Sequence, residues 1–360
     1  MGRIFFLGNT AGIPGGRINV TRAMLSCLGR SDRTRVIELM PPFDIRSPNR
    51  GMALWLTLRS MSAGLMKWLR LRPRSSDSLY IAVNTGERQW FDLLFLTLSR
   101  LVGMDCWLHH HGYSYLLRPS VPARLLFRIA GDSSTHIVQC RKMAEDLSLR
   151  YPSARKIVPL SNAALVLGPP VPALMPKKNV RTIGFLSNLM KEKGVEDFLD
   201  LVESSRKGEE KFQFLLAGPL MDQELEPRIR DLERRVEHFN YIGPVYGEQK
   251  ETFFSRIDVF CFPTRFSVET EGIVNLEALR AGVPVISFDR GCISEYIDDT
   301  CGFIIPKEAP FARLALEKIV QWQKNPECYN ALSSGALERY AQIYLKSSKI
   351  TDDIVAQMTK

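Results

Sequence analysis

Two carboxylates eight residues apart, Glu269 and Glu277, bracket a strand-to-helix turn. Upstream, Val259-Phe260-Cys261-Phe262 is an apolar run closed by Pro263, the pattern of a buried strand. Downstream, Ala281-Gly282 reads as a helix C-cap, followed by a second buried strand around Val283-Pro284-Val285-Ile286. The helix between them starts near Gly272 and carries Glu277 about one and a half turns in. Helical side chains lean toward the N-terminus, so Glu277 leans back to the helix mouth. There the free N–H groups of Gly272, Ile273 and Val274 and the positive end of the dipole make an anion site. An anion cradled by amides, with carboxylates on both sides to accept hydroxyl hydrogen bonds, is the chemistry that suits a sugar diphosphate. The plainer alternative is a surface helix whose acidic residues each gain ~0.3–1 kcal/mol from the dipole.

Other residues with chemical potential sit where strands end. Gly184-Phe185-Leu186-Ser187-Asn188-Leu189-Met190-Lys191-Glu192-Lys193-Gly194 leaves a strand and enters a helix, and open parallel sheets bind ligands beyond the carboxyl ends of their strands. Lys193 is therefore a candidate diphosphate ligand. His109-His110-His111-Gly112 ends a strand of the first half, and alternation puts His109 and His111 on one face and His110 on the other. His109 and His111 could share a metal ion, but no third ligand offers itself. Gly15-Gly16 lies in a loop after the first strand, where glycine lets backbone approach a ligand closely. The spacing of Gly8, Gly12, Gly15 and Gly16 is not Gly-x-Gly-x-x-Gly, which argues against a dinucleotide-dependent dehydrogenase.

The strand–Pro–turn–helix frame with Glu269 and Glu277 resembles the Glu-x7-Glu signature of family 4 glycosyltransferases, which have the GT-B fold. The resemblance implies that Glu269 holds the transferred sugar and Glu277 the nucleotide ribose. Lys193-Gly194 match the family's Gly-Arg-Leu-x3-Lys-Gly motif, whereas the family arginine falls on Asn188, which can donate a hydrogen bond but carries no charge. The resemblance places Gly15 and Gly16 under the donor phosphates and acceptor. It brings the loop Tyr241-Ile242-Gly243-Pro244-Val245 to the nucleobase, through Gly243 and Val245. Family members often carry a histidine at the position of the His run, near the reacting sugar, with His111 the first choice and His109 the second. No Asp-x-Asp occurs in the chain, so no metal or other cofactor is expected: the diphosphate charge falls to amides, dipole and Lys193. The activity implied is retaining transfer from a nucleotide diphosphosugar to a glycan or lipid-linked saccharide, of the polysaccharide-biosynthesis type. A nucleotide-sugar epimerase and a non-catalytic nucleotide-sugar-binding partner are the alternatives.

The elements that must position these residues are legible as two α/β halves. Short apolar runs at Arg3–Leu7, Val36–Leu39, Leu79–Val83, Cys106–His110 and His136–Val138 alternate with helix-length segments. The pattern restarts at Thr182–Leu186, Phe212–Ala217, Tyr241–Ile242, Val259–Phe262, Val283–Ser287 and Gly302–Ile305. Such alternation predicts parallel sheets with helices on both faces. Prolines 169, 170, 172 and 176 read as a linker. The expected organisation is an N-terminal Rossmann-like acceptor domain over 1–168, a linker over 169–179, a nucleotide-sugar domain over 180–340 and a terminal helix over 341–360. The GT-B resemblance implies that the domains face each other across a cleft and that this helix returns to the first domain.

The formal charge of +9 conceals an asymmetry. Residues 1–170 hold 23 Lys/Arg and 10 Asp/Glu, whereas residues 171–360 hold 25 and 29. The basic half implies an anionic partner, and Met52–Arg74, which mixes Trp55, Leu58, Trp68 and Leu69 with Arg59, Lys67, Arg70, Arg72 and Arg74, fits an interfacial membrane helix. No nucleic-acid-binding motif accompanies the charge. The seven cysteines are scattered, without a Cys-x-x-Cys pair, which reads as reduced cytosolic thiols. With no apolar run of membrane-spanning length and no signal-peptide core, the expected location is cytoplasmic, peripheral on the inner membrane face.

Overall fold

The structure is a computed structural model. It describes residues 2–10, 16–30, 34–39, 50–171, 180–206, 208 and 210–359. Gly15 and most of the expected linker, residues 172–179, lie outside the described residues. The chain divides into two units, one of Met1–Leu167 with Leu345–Lys360, the other of Gly168–Tyr344.

The first unit holds a six-stranded parallel sheet of β1 (Gly2–Leu7), β2 (Thr34–Glu38), β3 (Ser78–Val83), β4 (Asp105–His110), β5 (Thr135–Val138) and β6 (Lys156–Pro159), in the order β2-β1-β3-β4-β5-β6. All of β3 is buried, as expected of a central strand covered on both faces. The composition foretold every strand but β6. That edge strand reads Lys-Ile-Val-Pro, is only half-buried and ends in a proline, a residue confined to sheet edges and ends. Local chemistry sets the helix ends. Ser120 Oγ accepts from Ala123 N at 3.2 Å to cap helix Val121–Ala130, with Pro122 in its first turn. Gly103, left-handed at φ 84°, stops helix Gln89–Val102. Arg3 grips Asp77 through two bonds of 3.0 and 2.6 Å, tying β1 to the entry of β3. Ile354 and Met358 of the terminal helix complete a core with Ile4, Phe6, Tyr80, Trp107 and Ile137.

The second unit holds β7 (Thr182–Leu186), β8 (Gln213–Ala217), β9 (Phe239–Tyr241), β10 (Val259–Phe262), β11 (Val285–Phe288) and β12 (Gly302–Ile305), all parallel, in the order β12-β11-β10-β7-β8-β9. Its core is aromatic: Phe185, Phe198, Phe214, Phe239, Trp322 and Tyr329 are fully buried. Asp258 accepts from the backbone N of Arg181 and of Thr182, both at 2.8 Å, which pins the start of β7 beside β10. The chain ends in one continuous helix, Pro326–Met358, so the expected boundary at residue 341 falls inside an unbroken helix. Among the described residues no helix is long and apolar enough to cross a membrane.

Candidate functional site

In each sheet the strand order reverses once, between β1 and β3 and between β7 and β10. Ligands of open α/β sheets bind beyond the strand ends at such a reversal. The expected residues gather at both places, one in each unit.

In the second unit, glycines let the loop after β10 pack closely against two neighbours, the loop after β7 at Gly194 and the loop after β11 at Gly291. Gly194 is left-handed at φ 81°, and a Cβ on it would stand 1.8 Å from the Pro263 carbonyl oxygen. Gly291, at φ 51°, would likewise drive a Cβ to 2.3 Å from the Thr270 carbonyl oxygen and 2.4 Å from that of Glu269. This close packing brings Lys193 Nζ to 2.6 Å from Glu269 Oε2, both side chains largely buried. Thr264 Oγ1 donates to the same oxygen at 3.3 Å, and the Phe266 ring centroid lies 4.5 Å from Lys193 Nζ.

Gly272, left-handed at φ 57°, starts helix Ile273–Arg280, whose first N–H groups have no intrahelical partner. Within that helix, Glu277 Oε1 accepts from Lys250 Nζ at 2.5 Å, while Glu277 Oε2 is buried with no partner. Burial pushes the Glu277 carboxyl above its ordinary range, and the charges of Lys250 and Arg280 hold it back. Asn275 is buried with both amide atoms unpaired. An unpaired buried carboxylate oxygen and amide are costly unless a ligand meets them.

The remaining donor candidates are spread around this centre. Asn188 is exposed, and the nearby Lys191 is engaged with Glu224 at 2.6 Å on the surface. Gly243 adopts φ 76° and its carbonyl accepts from Gly218 N at 2.8 Å. Val245 is half-buried.

In the first unit the histidines separate as alternation requires. His109 and His111 lie side by side with ring centroids 4.2 Å apart and planes tilted by 40°, and Tyr80 OH lies 2.7 Å from His109 Nδ1. On the opposite face His110 meets Tyr115 OH at 2.6 Å through Nδ1 and His136 Nδ1 at 3.0 Å through Nε2. His109 Nε2 and both ring nitrogens of His111 are out of solvent and unpaired, although His111 as a whole is half-buried. At the strand reversal, Arg17 follows the glycine loop, with Gly16 as the first residue of its helix. Arg17 Nη2 donates to Ala82 O at 3.1 Å and to Asn84 Oδ1 at 2.8 Å. Asn84 in turn donates from its backbone N and Nδ2 to buried Asp92 at 2.6 and 2.7 Å.

Desolvation pushes His109 down to about 3 and His136 to about 4, and drives His110 and His111 well below 6.5. All four are neutral at pH 7. Unfolded imidazole takes a proton near 6.5 and these buried rings do not, so stability present above pH 6.5 is lost as the pH falls. The loss is about 1.4 kcal/mol per pH unit for each ring. Asp92 opposes this: burial raises its carboxyl to about 6, so the folded state gains a proton between pH 6 and 3.8. Several rings outweigh one carboxyl, and the urea midpoint of the first unit is expected to fall between pH 6.5 and 5. A flat profile would mean that water reaches these rings.

Several contributors were not visible in the sequence. Lys250 lies 27 residues before Glu277 and is brought to it only by tertiary packing. Thr264, Phe266 and Asn275 carry no motif signal. Arg17 had one: a cation at the start of the helix that follows the glycine loop. Among the described residues no group of three or more His, Cys, Asp or Glu side chains is placed to hold a metal ion. Cys27, Cys106, Cys261, Cys301 and Cys328 are free thiols.

The phosphatidyl-myo-inositol mannosyltransferase of Mycobacterium leprae is 26% identical over 60% of this chain and 56% of its own length. The O-antigen biosynthesis glycosyltransferase WclY of Escherichia coli is 30% identical over 33% of this chain and 31% of its own length. The chain thus spans about half or less of these relatives. The crystal structure of Anabaena HepE in complex with UDP superimposes with a TM-score of 0.71 at 14% identity, covering 99% of this chain and all of that one. The chain has the GT-B fold, and its residues 172–339, nearly all of the second unit, match the model of glycosyl transferases group 1.

Proposed function

We propose that this protein is a retaining, metal-independent glycosyltransferase that moves a sugar from a nucleoside diphosphosugar to a glycan or lipid-linked saccharide. The observation that carries the reading is the Lys193–Glu269 pair beside the left-handed Gly272 helix start, at the β7/β10 reversal. A cation, free helix amides and two carboxylates in one place match the parts of a diphosphosugar. The family match over 172–339, and the UDP bound by HepE, support the same donor class.

In this mechanism the Gly272, Ile273 and Val274 amides and Lys193 stabilise the charge that grows on the leaving diphosphate. Glu269 accepts hydrogen bonds from the transferred sugar, and Glu277, through its unpaired Oε2, from the ribose. Gly243 and Val245 border the base. Asn188 supplies a neutral donor where the family has an arginine, which leaves Lys193 as the main cation. His111 and His109 act in the first unit as neutral hydrogen-bonding groups. Their depressed basicity suits orienting a hydroxyl better than storing its proton. No covalent nucleophile is assigned.

The test is a panel of nucleotide sugars with and without saccharide acceptors. Acceptor-dependent release of nucleoside diphosphate supports the transferase. An altered sugar nucleotide without acceptor marks an epimerase, and tight binding without turnover marks a non-catalytic partner. Full activity is expected in excess EDTA, since the charge is met by amides and Lys193. Activity lost with chelator and restored by magnesium or manganese would overturn the metal-free part.

The proposal extends to reversible binding at the inner face of an anionic membrane. Helix Arg50–Leu71 keeps Trp55, Leu58, Met66 and Leu69 half in water, and Arg59 lies 5.3 Å over the Trp55 ring. Apolar residues interleaved with basic ones are the pattern of an interfacial helix.

A further inference from the structure

A second basic feature of the first unit is unrelated to the strand ends and independent of the donor reading. Between helix Val121–Ala130 and the end of helix Arg141–Arg150 lies a pocket of about 560 Å³, lined by Arg124, Arg128, Arg150, Phe127, Tyr151 and Ser153, with no carboxylate in its wall. Arg124 and Arg128 stand one turn apart on one helix. Phe127 and Tyr151 stack beneath at 3.9 Å between centroids, 17° from parallel.

The neutral donors of the wall are already used. Tyr151 OH donates to Tyr115 O at 2.8 Å, Ser153 Oγ to Phe127 O at 2.9 Å, and Arg150 Nε to Leu116 O at 3.1 Å. That last bond leaves the Arg150 terminal nitrogens available. Among the described residues no ion pair engages Arg124, Arg128 or Arg150. Burial raises the Tyr151 phenol, and the positive charges of Arg150 and Arg124 oppose it.

Three exposed arginines lining one pocket whose wall holds no carboxylate suit an anion with several oxygens, and guanidinium binds phosphate in two-pronged bonds. The surround distinguishes a membrane-held phosphate from a free one. Leu149 is 81% exposed, Val121 58% and Leu117 49%, each adjoining a wall residue or the loop that holds one. A dissolved phosphate would leave these side chains in water, whereas a bilayer would cover them. We infer that this pocket takes the phosphate headgroup of an anionic bilayer lipid, with Leu117, Val121 and Leu149 entering the acyl boundary around it.

Vesicle flotation of the full chain tests this. Phosphatidylcholine vesicles are compared with vesicles in which a third of the lipid is phosphatidylglycerol. The variant R124Q/R128Q/R150Q is compared with R30Q/K346Q/K349Q, which removes the same charge from exposed positions of the first unit outside both the pocket and helix Arg50–Leu71. Wild type is expected to prefer the anionic vesicles, and the pocket variant to lose about tenfold more partitioning than the equal-charge control. Leu149→Ser should weaken vesicle binding with all three arginines intact. Unchanged thermal melting of each variant, and unchanged nucleotide binding by the second unit, guard against misfolding. Equal losses from the two triple variants would reduce the effect to bulk charge and overturn the pocket. So would equal binding to neutral and anionic vesicles. Saturable binding of inorganic phosphate, abolished in R124Q/R128Q/R150Q while vesicle binding stays intact, would assign the site to a soluble phosphoryl compound and overturn the lipid assignment.

Discussion

Glu269→Gln is expected to lower turnover by about 10²–10³-fold while leaving donor affinity close to wild type, the scale of losing one preorganised transition-state contact. The substitution keeps the shape and removes the charge. In the structure one oxygen of Glu269 is held by Lys193 at 2.6 Å and by Thr264 at 3.3 Å, so the carboxylate is oriented before any sugar arrives. Neutralising it also frees Lys193 from its partner in a mostly buried place. The contrast is Glu277→Ala. Its Oε1 is taken by Lys250 at 2.5 Å and its Oε2 is unpaired, so the side chain is poised to receive a ligand hydroxyl rather than to act on the reacting carbon. A hydrogen bond to a charged group contributes ~1.5–3 kcal/mol, so nucleotide affinity should fall tenfold or more with turnover at saturation little changed. Steady-state kinetics with nucleotide titration separates the two. Near-wild-type turnover and affinity in both variants would show that the donor lies elsewhere.

Gly194→Ala is expected to cost several kcal/mol and to weaken donor binding together with stability, although alanine is the smallest side chain available. Two penalties add. A left-handed residue with a Cβ costs roughly 1–2 kcal/mol. The new Cβ would also stand 1.8 Å from the Pro263 carbonyl oxygen, a backbone atom at the end of β10 that cannot rotate away. Relief requires the β7 loop to part from β10, which carries Lys193 away from Glu269. Urea denaturation and nucleotide titration should therefore shift together. Gly243→Ala is the control for the stability reading alone: its φ is also positive, but no atom lies within 4 Å of a Cβ there. It should show only the conformational penalty. If the two variants lose the same stability, the close approach at Gly194 is not what holds the loops together.

Much of the architecture could be read along the chain, because a buried parallel strand announces itself locally. Val259–Phe262, Thr182–Leu186 and Gly302–Ile305 are short apolar runs with turn residues beside them, and the strands fall on those residues. β6 escaped because an edge strand buries little and needs no apolar run. The histidine pair was legible for a similarly local reason: strand alternation alone puts His109 and His111 side by side, and the ring centroids lie 4.2 Å apart. Their burial was not legible. The loss of basicity depends on what covers each face of the strand: Tyr80 beside His109, and Tyr115, Phe127 and His136 around His110 on the opposite face.

By itself the sequence determined the two α/β halves, the candidate glutamates and lysine at strand ends, and the charge asymmetry. All of these are properties of spacing and composition within a few residues. Only the tertiary structure decided the strand order, and with it that β7 and β10 are neighbours whose loops bring Lys193 to Glu269 across 76 residues. It likewise decided that Lys250 rather than solvent meets Glu277, and that Arg124, Arg128 and Arg150 surround one pocket. The physical reason is common to these cases. Which strand pairs with which, and which loops then touch, follows from packing the whole sheet and from single glycines such as Gly194 and Gly291 that let backbones meet. Hydrophobic periodicity specifies faces and elements, but it carries no information about the partner a charged side chain will find far along the chain.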